Sequence, residues 1–509
     1  MQAPRVSAIL PAAFLAAVVL AAVSALAGTA SAFDTEPHFD ITADVLKSEG
    51  FSPNAVQTVQ SANFFVDFYD FMDHPKVKPA LNAACLQRAA PAMAAAHFQH
   101  FDMLDSKYDV ARRWDAMLAA TDSVAIAKTK RGDILGLMAL LGASLHNVQD
   151  FYAHSNWVEG GTTGPPLGRG ALAKYGDHPT WLSMDRADRE SLDVYTRLNR
   201  NGVIRWHGQW NSPPDSLNKD QPGRPHYTDA YICAYFASRQ WVRLFQTFVN
   251  DTATWSKMQR FPKSAFDPSR DWDYSRKISF YGGHWSGNGA PSEVMDAFRP
   301  PPGTDPDLLL GAVVGYMGGR CIDKKASALR SEVQSLLSTW GVAPYKGPVN
   351  VKLPSAAPQS LQFVQIQVHR IDLTGGHDGL LGMGGGMDYY SRAKIDGQYY
   401  WSGLIKGHST FNFDTLAYGP WTMTKALPIN RSNVVMIFEL MDLDYFFDDF
   451  VDINPKKGDT SLVFTYRTTD GQLHGDVSGS APFTIEGKGD CDCARVKMDI
   501  VRTVGSCLR

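Results

Sequence analysis

The sequence predicts a multidomain protein, with an N-terminal all-α domain followed by a C-terminal antiparallel β-sandwich. Three observations carry that expectation. From Phe33 to about Ser338 apolar residues recur at helical spacing, around Gly341–Pro358 proline and small residues interrupt the pattern, and beyond it apolar and polar residues alternate. At 509 residues the chain has room for two or three domains, each with a sizeable core.

The first element is an address. Arg5 precedes an Ala/Leu/Val-rich run from about Ala8 to Ala27, and Ala30-Ser31-Ala32 supplies a small-x-small cleavage site. Residues 1–32 therefore read as an export signal, cleavage after Ala32 makes Phe33 the first mature residue, and the expected location is secreted or periplasmic. No later run reaches the ~18 apolar residues that a membrane span needs, so the mature chain is expected to be soluble or peripherally membrane-bound.

Residues 33–340 form the expected helical domain. Helical periodicity runs through Asp40–Ser48, Ser52–Ala62, Pro79–His100, Ser106–Ala120, Asp133–Tyr152, Asp185–Leu198, Tyr227–Asn250 and Asp305–Trp340, with Gly/Pro-rich breaks at Gly160–Gly170 and Asn211–Pro225. Residues 341–358 read as a linker. In residues 359–509 the strands are expected at Leu361–Ile371, Tyr389–Ile395, Asn433–Leu440, Ser461–Tyr466 and Ala481–Ile485, between Gly, Asp and Asn turns.

A net charge of −3 provides no global basic field for nucleic acid. The six cysteines are an even number in an exported chain, which permits disulfides. Their connectivity is open among about fifteen possibilities. Cys491 and Cys493, close to Cys507 and far from any histidine, read as a tail staple and not as a metal site.

The chemistry concentrates in Leu141–Glu159, LGASLHNVQDFYAHSNWVE, where His146, Asp150 and His154 follow one another at i, i+4 steps. On a helix they project from one face within about 12 Å along the axis. Imidazole and carboxylate are zinc ligands, and a carboxylate between two histidines can bridge two ions. The plainer alternative makes Leu141, Leu145, Val148 and Tyr152 a core face with the histidines beside it. Three such residues in register, with Asn156 and Trp157 following, favour the metal. Further ligands are sought among His38, His97, His100 and His226 and the carboxylates Asp67, Asp70, Asp102 and Asp229.

The H-x-x-x-D…H-x-N helix, the histidine near the mature N-terminus and the Asp-then-His pair between them resemble the zinc-dependent phospholipase C and single-strand nuclease superfamily. The closer likeness is to its Het-C-like branch and the related bacterial zinc metallophospholipases C. HFDITADVL at His38, HFQHFD at His97–Asp102, LHNVQDFYAHSNWVE and LNKDQPGRPHYTDA match in order across most of Phe33–Phe245. The resemblance implies an all-α fold with two to three zinc ions. It implies one ion on Asp67, His100, His146 and Asp150, with His97 and Asp70 as alternatives to His100 and Asp67. A second would use His38, the bridging Asp150 and the amino and carbonyl groups of Phe33. The Phe33–His38 interval of five matches the nuclease branch. A third would use His154, His226 and Asp229. Here the chain departs from the family: His154 follows Asp150 by four residues where the family has six, and the closing pair is His226-x-x-Asp229 in place of His-x-x-x-Asp/Glu. Asp67 is also the candidate catalytic residue, orienting or deprotonating water.

In the sandwich, GMDYYSRAKIDG and FELMDLDYFFDDFVDI resemble the calcium-dependent lipid-binding sandwich of the synaptotagmin and protein kinase C type. The resemblance implies calcium on Asp378 and Asp388 in one loop and Asp442, Asp444 and Asp448 in the other. Tyr389 stands where that family has proline, and the third-loop spacing is shorter. Tyr445, Phe446, Phe447 and Phe450 interleave with the acids and could enter a lipid headgroup layer. His377 and the run Gly382–Gly386 shape the first of these loops. The function expected from all of this is a secreted zinc phospholipase C that hydrolyses glycerophospholipids of the phosphatidylcholine type at a membrane surface. The alternatives are a single-strand nuclease of the same superfamily and a non-catalytic Het-C-like lipid- or partner-binding protein.

Overall fold

A computed structural model describes residues 35–70, 100–101, 104–159, 175, 179–200, 203–206, 216–261, 345–347, 349, 351, 353, 361–374, 387–402, 405–414, 419–442, 449–488, 493–505 and 507. The helices expected at Pro79–His100 and Asp305–Trp340 lie outside these residues, apart from His100. So do Phe33, His97, Asp378, Asp444 and Asp448.

The helical part contains α1 (Thr35–Ser48), α2 (Pro53–Asp70), α3 (Lys107–Arg131), α4 (Ile134–His154), α5 (Arg186–Ser191), α6 (Tyr227–Val249) and α7 (Thr252–Gln259). Local chemistry sets the ends of the central pair. Ser106 caps α3 by accepting from Asp109 N, and three basic residues occupy its last turn. Gly132 then takes the left-handed φ of 67° that ends it. Asp133 caps α4 through Gly136 N and receives Lys128 Nζ at 2.6 Å. Helix α4 is buried on nearly every side, against α2, α3 and α6. Gly142 permits the closest approach, because a Cβ there would lie 2.5 Å from Val59 O and 2.6 Å from Ala62 Cβ.

The helix expected over Asp185–Leu198 is corrected. Only Arg186–Ser191 is helical, and β1 (Arg197–Arg200) pairs antiparallel with β2 (Val203–Trp206). Helix α5 has no buried residue to hold it longer. Asn156 exchanges bonds with Tyr195, and Leu104 with Thr196, drawing the following segment into extended backbone. Asn201-Gly202 between the strands was the available hairpin signal.

The C-terminal part is the expected antiparallel sandwich. One sheet runs β13 (Gly479–Ser480), β12 (Gln472–Gly475), β11 (Leu462–Arg467), β9 (Asn433–Asp442), β4 (Met387–Ile395), β5 (Gln398–Trp401), with β10 (Asp449–Val451) on β9 and β6 (Ile405–His408) on β4. The other runs β14 (Phe483–Glu486), β15 (Ala494–Gly505), β3 (Leu361–Leu373), β7 (Thr410–Asn412), with β8 (Trp421–Pro428) on β3. Val364, Ile366, Phe438, Phe464, Val496 and Trp421 lie in the core between them.

The two parts share a seam. Leu361, Phe363, Tyr390 and Met441 belong to the same buried cluster as the helices, and the Phe363 ring meets Tyr231 and Tyr235 edge-on. Asp44 of α1 receives Lys425 Nζ at 2.7 Å, Ala426 N at 2.8 Å and Tyr400 OH at 3.1 Å. The segment read as a linker also packs: Val349, Val351 and Leu353 lie on the helical core, and Val351 N donates to Leu182 O. Cys507 pairs with Cys233 of α6, which corrects the expected tail staple to a bond between the two parts. Cys493 is buried, with its Sγ 4.0 Å from Asp452 Oδ2.

Candidate metal centre

Helix α4 contributes His146 and Asp150, α1 contributes His38, and the turn before α3 contributes His100. All four side chains have 0% exposure. The Asp150 carboxylate lies between the histidines. Its Oδ1 is 2.9 Å from His38 Nε2, and its Oδ2 is 2.8 Å from His100 Nδ1 and 3.0 Å from His146 Nε2. His146 Nε2 and His100 Nδ1 are 3.1 Å apart. The Oδ2, Nε2 and Nδ1 atoms thus form a triangle with edges of 2.8–3.1 Å. Two ligands of a tetrahedral zinc with bonds of about 2.0–2.1 Å stand about 3.3 Å apart. The donor set is close to ligand spacing. His38, His146 and Asp150 also form a group whose ligand atoms lie within 4.8 Å of one another.

The surrounding amides decide which way the rings face. His38 Nδ1 is 2.6 Å from Gln149 Oε1, and His146 Nδ1 is 3.0 Å from Asn63 Oδ1. An amide oxygen only accepts, so each Nδ1 carries the proton and each neutral ring turns its Nε2 lone pair toward Asp150. Gln149 Nε2 donates to Thr42 and Ser238, and Asn63 Nδ2 to Thr42 and Gln149, which fixes both amides. Among the described residues Asp150 Oδ1 accepts no hydrogen bond, although His38 Nε2 stands 2.9 Å away. Lone pairs facing a carboxylate in a dry interior are stabilised by a cation between them. Burial pushes His146 down to about 3 despite the pull of Asp150, so a proton is a poor candidate for that cation. Burial alone would raise Asp150, but His146 and His38 beside it and the hydrogen bond from His100 hold it well below the usual carboxylate range. The residues present fit a metal ion.

Of the expected ligands, His38, His100, His146 and Asp150 come together. The backbone of Asp67 lies in α2, and its side chain, like that of Asp70, is outside the described residues. The third set does not assemble among the described residues. His226 and Asp229 are exposed at the start of α6, 3.5 Å from each other, whereas His154 is buried and faces Asp220. The shortened spacings explain it: four residues after Asp150, His154 stays on the inward face of α4, and His226 caps α6 with a φ of 62° that turns it outward. Asn63, Gln149 and Asp220 were missed by sequence reasoning. A buried amide has no motif, although Gln149 stands beside Asp150 in the helix that drew attention first.

In the sandwich, Asp442 closes β9 opposite Tyr389 of β4, so Asp388 and Asp442 reach the same sheet end. The Asp388 side chain is outside the described residues. Burial, then the charges of Asp442 and Asp372, push the Tyr389 hydroxyl up, which marks this end as acidic. Phe450 is exposed beside it on β10. Tyr445, Phe446 and Phe447 lie outside the described residues.

The family model that matches is the VWA7 N-terminal domain, over residues 80–172. That stretch contains His100, His146, Asp150 and His154. No curated protein sequence matches the chain. By structure, the C-terminal part is similar to C2 domains. A solved C2 domain matches with 13% identity and a TM-score of 0.18, over 28% of this chain and 98% of that one. A C2 domain of plant extended synaptotagmin 1 matches with 10% identity and a TM-score of 0.19, over 28% and 95%. Human GIVD cytosolic phospholipase A2 matches with 11% identity and a TM-score of 0.19, over 29% of this chain and 17% of its own.

Proposed function

We propose that the chain is a zinc-dependent phosphodiester hydrolase acting on glycerophospholipids of the phosphatidylcholine type, yielding diacylglycerol and a phosphorylated headgroup. The observation that carries this reading is the Asp150 carboxylate, with one oxygen toward His38 and the other toward His100 and His146. These four side chains would hold the metal, with Asp67 and the Phe33 amino group as the further ligands suggested by sequence. Zinc bound there supplies a Lewis acid and lowers the pKa of water. Asp150 would supply the negative charge that holds the metal, with one oxygen toward His38 and the other toward His100 and His146. Asn63 and Gln149 keep the His146 and His38 lone pairs turned inward before any ligand arrives. The complete burial of all four side chains strengthens each of these interactions. The sandwich is the lipid-facing module, with calcium at the Asp388/Asp442 end and Phe450 entering the headgroup layer. A net charge of −3 disfavours tracking along nucleic acid.

A second reading has its own observation. A metal enclosed by four fully buried side chains, without an open position, is structural. In that case the protein acts by binding lipid. The zinc-loaded full chain, with and without EDTA, is offered phosphatidylcholine vesicles and single-stranded DNA. EDTA-sensitive phosphocholine release supports the lipase. Nucleotide release without phosphocholine moves the same chemistry to nucleic acid, and bound zinc with neither product establishes the structural reading.

A further inference from the structure

His154 does not join the triangle around Asp150, yet it is as deeply buried as the residues that do. Its two ring nitrogens are both engaged. Nδ1 lies 2.6 Å from the His100 carbonyl oxygen, and Nε2 lies 3.2 Å from Asp220 Oδ1. A carbonyl oxygen and a carboxylate oxygen both only accept, so both ring nitrogens donate and the ring is pinned between the backbone of His100 and Asp220. That backbone needs a hold. Phe101 follows with a φ of 53°, a left-handed conformation that strains a bulky residue. Phe101 is kept there by Trp114, Phe151 and the Arg113 guanidinium, with ring or charge centres at 5.1–5.3 Å. The carbonyl immediately before it is the one that His154 grips.

Asp220 lies in the loop before α6, and that loop is built to hold it. Asp220 N donates to Asn218 Oδ1 at 3.0 Å, and Arg224 Nε donates to Asn218 O at 3.2 Å. Lys219 is buried with its ammonium on Glu159 and Leu217 O. On the far side the sandwich presses close: a Cβ at Gly419 would stand 2.1 Å from Gly223 N. Asn218, Lys219, Asp220, Gln221 and Arg224 are all buried, an arrangement of polar groups that is stable only when each has a defined partner. Among the described residues Asp220 Oδ2 has no hydrogen-bond partner.

We propose that Asp220 and His154 are a positioning pair for the metal centre: Asp220 fixes the His154 ring, the ring holds the His100 carbonyl, and His100 Nδ1 stays aimed at Asp150. This rests on the metal-centre reading. It assigns His154 an orienting role outside the ligand set, and it makes the loop between the helices and the sandwich part of the centre's support. Outer partners of metal ligands commonly change affinity by about 10–100-fold.

The test is a cobalt(II) titration of the metal-free full chain, followed by visible absorption. Asp220→Ala should weaken cobalt binding about 10-fold or more and alter the spectrum. Asp220→Asn, which keeps an amide facing the ring, should restore most of the affinity. Arg224→Met loosens the loop that carries Asp220 but leaves the Asp220 carboxylate facing His154, and should weaken cobalt binding clearly less than Asp220→Ala. Wild-type affinity in Asp220→Ala, or an equal loss in Arg224→Met, overturns the positioning role alone. A wild-type chain that binds no cobalt overturns the metal-centre reading and this inference together. Should Asp220→Ala fail to fold, the spectrum of Asp220→Asn decides: a cobalt site unlike that of the wild type rejects the pair.

Discussion

Asp44 and His38 stand on different faces of one helix. At about 100° per residue, Asp44 is rotated about 240° from His38, so α1 shows His38 to the metal cluster and Asp44 to the sandwich. The Asp44 carboxylate is 2% exposed and receives Lys425 Nζ at 2.7 Å. The helix is therefore a plate between the two halves, and its contacts with the sandwich help set the attitude of His38, a candidate ligand.

Lys425→Met should destabilise the chain by about 3 kcal/mol, because it strips the buried Asp44 charge of its ion-pair partner and leaves it the hydrogen bonds from Tyr400 OH and Ala426 N. Asp44→Asn combined with Lys425→Met should cost less than Lys425→Met alone, since no charge is then stranded. Urea unfolding of the three variants measures the coupling. A double variant as unstable as the sum of the two singles would deny the pair its importance.

The same seam predicts alkaline lability. Burial raises Tyr235 to about 12, and burial with the charges of Asp40 and Asp44 raises Tyr231 and Tyr400 well above 10. Above about pH 10 the unfolded chain gives up phenolic protons that the folded chain keeps, so stability falls as the pH rises. The unfolding midpoint should drop between pH 10 and 12, and Tyr400→Phe should make the drop shallower. A midpoint flat across that range would contradict the burial of these hydroxyls.

How much of this was legible follows from the kind of signal each residue gives. His146 and Asp150 sit four apart on one helix, a local spacing that survives folding unchanged. His38 and His100 were legible only through a resemblance, because nothing local links them to α4. His154 looked equivalent to His146 in spacing, but its partner is decided by a loop more than sixty residues away. Asn63 and Gln149 are ordinary amides until folding places each against an imidazole. The sandwich strands were readable by alternation. The seam was not: Asp40 and Asp44 are polar positions on a helix and gave no sign of facing β8 from beneath the sandwich.

Asp150→Asn removes the charge that both sides of the centre share. Bound zinc per chain, measured by elemental analysis after dialysis, should fall by at least one ion, and hydrolysis should be lost with it. Asn63→Ala frees the His146 ring without removing a ligand, so affinity should fall about 10-fold or more while some zinc remains at saturation. Full zinc content in Asp150→Asn would remove the bridging role.

Asp442→Asn tests the sandwich. If the Asp388/Asp442 end holds calcium, the variant should need several-fold more calcium to sediment with phosphatidylserine vesicles, with zinc content unchanged. Binding that ignores calcium in both proteins would leave that end as a solvated acidic tip.

Gly142→Ala sets two effects against each other. Alanine is the better helix former by about 1 kcal/mol, which alone would stabilise α4. Against it, the new Cβ would stand 2.5 Å from Val59 O and 2.9 Å from Asn63 N, and neither backbone atom can rotate away. Forcing α2 and α4 apart costs about 1–3 kcal/mol, so the net change should be destabilising. The displacement also has a direction. Asn63 lies on α2 at the point of contact and holds the His146 ring at 3.0 Å, so separating the helices loosens a candidate ligand. Gly142→Ala should lower both the unfolding midpoint and the cobalt affinity. A variant with a raised midpoint and wild-type affinity would show that the close approach of the two helices has no part in the centre.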